Sequence, residues 1–224
     1  EEFLSGPPSM HGAPAPLGMT IVVLMAGTFT GLLNAAVAPS LPVIAQHFGG
    51  HGVAIAQFLD AAAALGVAVG GIPAGIVLDR VGARPFLLFA LCIYALMGSA
   101  PIYLDDYRTI VVTRILLGLA TVSVTISSVA LIGERFAPEA RARFLGYQAA
   151  IGSIGGVVFL VTTGAITEAS GWRVPFLLYL LSLPILVTAA LSIPKRARER
   201  RQVGKTPAPS SLRLIGPCLV VIVV

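Results

Sequence analysis

Two ionisable side chains stand inside long apolar runs: Asp60 in VAIAQFLDAAAALGVAVGGIPAGIVL and Arg114 in TIVVTRILLGLATVSVTISSVALIG. In a bilayer such groups are rare, cost on the order of 2.5 to 3.5 kcal/mol each when unpaired, and mark pathways for ions or substrates. At 1.5 Å per residue both lie roughly 8 to 10 Å below the same membrane boundary. Two chemistries follow. A static Asp60–Arg114 ion pair would lock two helices, whereas a carboxyl that gains and loses a proton, with the arginine setting its pKa, would couple proton movement to transport. Asn34, near Pro39 and Pro42 in the first apolar run, is a further buried polar group, suited to a hydrogen bond with a neighbouring helix or to a substrate cavity. Paired catalytic groups are absent from these runs: they hold no His and no second carboxylate beside Asp60, and His11, His47 and His51 fall outside them. The pattern speaks against an intramembrane enzyme and against a metal site. Cys92 and Cys218 read as small buried hydrophobes, with no disulfide framework and no paired ligand spacing.

The elements that must position these groups are membrane spans. Of the 224 residues 56% are hydrophobic and 11% charged, with a mean hydropathy of +0.91. A soluble domain needs about a quarter charged residues, so the chain reads as all-α and integral to a membrane. About 20 apolar residues cross a hydrocarbon core of roughly 30 Å. Six runs reach that length, at about 19–44, 53–78, 86–104, 109–133, 144–167 and 174–193. Residues 1–18 read as a disordered tail, without the basic start of a signal peptide. A basic linker over 194–211 follows the sixth span, and 212–224 reads as the start of a seventh helix, cut short.

Basic residues give the orientation, because short loops rich in Lys and Arg stay on the cytoplasmic side. Arg80 and Arg84 follow the second span, Arg135, Arg141 and Arg143 the fourth, and the linker carries most of the rest. The opposite loops hold only Arg108 and Arg173. This predicts a multi-pass protein of the inner (plasma) membrane with a cytoplasmic N-terminus. The net charge of +5 is spread between spans, which suits anionic headgroups and not nucleic acid. Glycines four apart, Gly27 and Gly31, Gly66 and Gly70, Gly71 and Gly75, Gly152 and Gly156, predict close helix packing, with Gly155 beside the last pair.

The second span ends in GIVLDRVGAR, where Gly82 permits a tight turn and the two arginines suit headgroup anchoring. The order of Gly75, Asp79, Arg80, Gly82 and Arg84 resembles the GxxxDRxGxR signature between the second and third helices of the major facilitator superfamily, at the matching loop and side. RILLG, Arg114 to Gly118, is similar to the family's fourth-helix Arg-and-Gly motif, and Glu134 with Arg141 to its Glu-x6-Arg pair. GWRVPF, Gly171 to Phe176, is similar to the start of its sixth helix. Two positions depart: Ala83 stands where a second basic residue is usual, and Gly152 replaces the Pro of the GPxxGG motif of drug antiporters.

The resemblance implies the N-terminal six-helix bundle of that fold, truncated in helix seven, with a second six-helix bundle missing from this chain. It is similar in character to drug/proton antiporter-like or sugar-efflux-like bacterial members. It further implies transport of small organic solutes by alternating access, with protons as coupling ion and efflux as direction. Asp79, Arg80, Arg84, Glu134 and Arg141 would then form a conformational-switch network, with Asp79 gripping a helix N-terminus of the second bundle. Nothing like a nucleotide-binding loop occurs, and no cofactor is expected. The alternative from another class is a membrane protein that folds and binds but does not transport.

Overall fold

In lipid each backbone polar group must be satisfied within its own segment, and helices meet that demand. The computed structural model describes residues 17–35, 37–43, 52–136 and 138–193, and among them there is no strand. Six helices follow in order: α1 Leu17–Ala35, α2 Gly52–Val81, α3 Ala83–Ser99, α4 Tyr107–Arg135, α5 Pro138–Ser170 and α6 Ser182–Ser192. Short 3-10 helices extend α1 at Ala38–Ser40 and α3 at Ala100–Ile102, and a longer one, Val174–Leu181, runs into α6 to complete the sixth span. The expected tail as far as Pro16, the linker, the seventh helix and the side chain of Asn34 lie outside the described residues.

Local sequence sets the breaks. Gly82 alone separates α2 from α3, with φ of 94° and ψ of 155°, a region essentially closed to residues with a Cβ. Its amide donates to the Leu78 carbonyl at 2.8 Å, closing the end of α2. Asp106 caps α4, its carboxylate accepting from the Thr109 amide at 3.1 Å and hydroxyl at 2.8 Å. These bonds, the hydroxyl first, hold the Asp106 carboxyl below the usual carboxylate range. Pro138, pre-set for a first helical turn, starts α5.

Glycine decides which helices touch. A Cβ on Gly118 would come within 2.1 Å of the Ala63 carbonyl oxygen, and one on Gly66 within 2.1 Å of that of Ile115, so α2 and α4 cross backbone to backbone. On α1 and α5, a Cβ on Gly152 would stand 2.8 Å from the Gly27 oxygen and one on Gly31 2.8 Å from the Gly156 Cα. Gly155 lies against Thr28. Gly71 and Gly75 face nothing within 4 Å. α4 is the hub, packing on α1, α2, α3 and α5. The apolar stretch is 56% buried in α1 and in α4 but 6% buried in α5 and 28% in α2, so α2 and α5 present broad faces that this bundle does not cover.

Candidate functional site

Arg114 is 1% exposed, and Asp60 is not its partner. The covered stripe of α2 runs through Leu59, Ala62, Ala63, Gly66, Gly70 and Ala74, and Asp60 lies off it, exposed. Counting along the sequence puts the two groups at one depth, but one step along a helix turns a side chain by about 100°, and that turn carries Asp60 off the stripe that meets α4. The expected ion pair is therefore not formed.

The guanidinium is held instead by rings and hydroxyls. Its carbon sits 4.5 Å over the Phe176 ring centroid and 5.6 Å from that of Tyr179, and Nη1 donates to the Tyr179 hydroxyl at 3.1 Å. Tyr179 reaches the carbonyl oxygens of Leu33 at 3.3 Å and Leu32 at 3.4 Å in the last turn of α1. Beside it the Tyr94 hydroxyl donates to the Phe29 carbonyl at 2.9 Å, and its ring packs on Phe29 and Tyr179 at 4.9 and 5.4 Å. A desolvated cation over an aromatic face gains on the order of 2 kcal/mol, which offsets part of the burial cost. Arg114 Nη2 has no hydrogen-bond partner among the described residues. One end of the bundle thus joins α1, α3, α4 and the sixth span around a single buried cation.

The loop signature comes apart into three roles. Gly82 makes the turn. Asp79 and Arg80 are exposed. Arg84, expected in a network with Glu134 and Arg141, points the other way: its Nη2 donates to the Ala190 carbonyl at 2.8 Å, meeting an acceptor in the last turn of α6, where helix carbonyls lack intrahelical donors and a cation is favoured. Its Nε is buried without a partner among the described residues. Ala83, buried at the start of α3, stands where a second basic side chain would have to leave the core. Glu134 is exposed in the last turn of α4, and Arg141 spans the α4–α5 connection with Nε 3.0 Å from the Phe136 carbonyl oxygen.

Sequence reasoning passed over Gln148. Its Nε2 donates to the Val23 carbonyl at 2.9 Å and the Ser128 hydroxyl at 2.8 Å, tying α5 to α1 and α4. It lines a groove of about 470 Å³ with Gly27, Thr30, Gly31, Thr125 and Ser153 among its neighbours. A side-chain amide in mid-span was the available signal, of the same kind as Asn34. The aromatic cage had a signal too: a buried Arg calls for rings and hydroxyls at its own depth, and Tyr94, Phe176 and Tyr179 supply them. Among the described residues no cluster of His, Cys, Asp or Glu fits a metal.

A glycine-packed all-helical bundle with six candidate spans, a one-residue turn after the second and a buried arginine in the fourth defines a multi-pass membrane protein. The chain belongs to the Major Facilitator Superfamily, whose family model matches residues 23–223. It is 26% identical over 164 residues to the inner membrane transport protein YnfM of Escherichia coli K12, covering 73% of this chain and 39% of that protein. It is 29% identical over 160 residues to the multidrug resistance protein Stp of Mycobacterium tuberculosis (CDC 1551 / Oshkosh), covering 69% and 29%. In fold it is similar to a crystal structure of a D-xylose-proton symporter, with a TM-score of 0.66 at 17% identity over 92% of this chain and 51% of that one. The chain thus spans well under half the length of these two relatives.

Proposed function

We propose that the protein moves small organic solutes out of the cell by alternating access, driven by protons, in concert with a second six-helix bundle. The observation that carries this reading is Asp60: a carboxylate on a membrane span, exposed and free of the arginine expected to neutralise it. Facing lipid it would cost on the order of 2.5 to 3.5 kcal/mol. Facing a polar cavity between two bundles it instead becomes a site that takes up and releases a proton. The groove at Gln148 offers hydroxyls and an amide to a solute, and the name of Stp supports organic drugs as the class.

In this reading the N-terminus is cytoplasmic, the membrane is the inner (plasma) membrane, and Asp79 and Arg80 grip the second bundle in one state of the cycle. The test is ethidium movement in everted vesicles bearing the complete gene product. An imposed pH gradient should drive dye accumulation by the parent protein and not by Asp60→Asn. Full gradient-driven accumulation in Asp60→Asn would remove Asp60 from the mechanism.

A further inference from the structure

The described part of α1 ends at Ala35, and a 3-10 turn at Ala38–Ser40 takes the place of the regular helix within an apolar run that continues to Val43. The reason is Pro39: the Ala35 carbonyl would accept from the amide four residues on, and proline has none. In a membrane a freed carbonyl has no water to turn to, and neighbouring helices must supply the donor. Here α5 does so. Thr163 Oγ1 lies 2.7 Å from both the Ala35 oxygen and the Phe159 carbonyl oxygen of its own helix, so its one proton is shared between them, and Thr163 is fully buried. One turn further along, Thr167 Oγ1 donates to the Thr163 carbonyl at 2.7 Å and lies 3.1 Å from Ser40 Oγ. Both residues at that contact are buried.

Two further carbonyls of the same helix end meet the cage already described. Leu32 and Leu33 belong to the last turn of α1, and Tyr179 presents its hydroxyl to both. Arg114 donates to that hydroxyl, and donation into a hydroxyl oxygen strengthens the hydrogen bond it makes in turn. Its charge also stands opposite the negative end of the α1 dipole. The helix end therefore acts as the counter-charge that Asp60 does not provide.

We propose that Thr163 and Tyr179, the latter backed by Arg114, are positioning residues that latch the C-terminal end of α1, so that the segment Val37–Val43 is fixed while the latch is made and moves relative to α1 when it is released. Val37, 2% exposed, reports the motion. In a background of the complete gene product with every native cysteine, Cys92 and Cys218 included, replaced by Ser, Val37→Cys is labelled with N-ethylmaleimide in native membranes. Asp105→Cys serves as the exposed control.

Thr163→Val and Tyr179→Phe should each speed labelling at Val37→Cys about fivefold, the shift in an opening equilibrium that one lost hydrogen bond produces. Thr163→Ser, which keeps the donor, should label at the parent rate, and the Asp105→Cys control should stay unchanged throughout. Parent-rate labelling in both Thr163→Val and Tyr179→Phe would overturn the proposal. Equal acceleration in Thr163→Ser and Thr163→Val would overturn it as well, since loose packing and not the hydroxyl would then be responsible. If one of the two donor-deleting variants fails to reach the membrane, the other carries the same two outcomes.

Discussion

Both ends of this bundle carry arginines, and they are treated in opposite ways. At one end Arg114 is sealed among Phe176, Tyr179 and, behind them, Tyr94. At the other, Asp79, Arg80, Glu134 and Arg141 are exposed, with Arg84 alone turned inward onto α6. The first arrangement is dry and closes on itself. The second leaves charge at the surface, where a further body can meet and leave it. On this account the caged end holds α1, α3, α4 and the sixth span together, and under the proposed function the charged end is the part that would exchange partners.

The difference can be broken most strongly at the α2–α4 crossing that supports both ends. Gly118→Ala forces a Cβ to within 2.1 Å of a backbone oxygen, and should cost about 3 kcal/mol, seen as a lower thermal midpoint in detergent. Gly75→Ala meets nothing within 4 Å and should leave that midpoint unchanged, so any loss of transport it brings reports on switching and not on packing.

Next in size is Arg114→Lys, at about 2 kcal/mol. The ammonium is a strongly hydrated point charge without the planar face that stacks on Phe176. Arg114→Met, which removes the charge and keeps much of the volume, should unfold later than Arg114→Lys. The reverse order of midpoints would mean that the cage needs a cation and not a shape.

Gln148→Leu should cost about 1 kcal/mol through its two lost bonds, with a change in solute preference as the second readout. The smallest effect is at Asp106. Its carboxyl is held below its unfolded value by Thr109, so its contribution is present above the unfolded pKa and fades as pH falls through the lower folded one. Asp106→Asn should flatten the acid side of the thermal-midpoint profile, below about pH 4, and leave the neutral side unchanged.

The fold class was legible because lipid allows so few answers: apolar length, loop charge and the Gly82 turn point to helices, and the family follows from the order of residues around that turn. The partners of the buried groups were not legible. Depth can be counted along a sequence, but the direction a side chain faces depends on which helices touch, and that is set by glycines whose partners lie far away in sequence. Asp60 was expected to meet Arg114 and lies off the covered stripe of α2 for this reason. Tyr179, Thr163 and Gln148 were overlooked because a hydroxyl or amide among apolar residues shows its purpose only when the carbonyl it reaches is known. Pro39 is the exception, since the freed Ala35 carbonyl is implied by the sequence itself.

The division of labour between the two ends is tested most directly by Asp79→Asn, with thermal midpoint and transport rate measured on the same preparation of the complete gene product. The account predicts an unchanged midpoint and transport reduced about tenfold, as when a charge-assisted contact worth roughly 1.4 kcal/mol is lost from one state of the cycle. An unchanged transport rate, or a midpoint lowered as far as in Arg114→Lys, would contradict it.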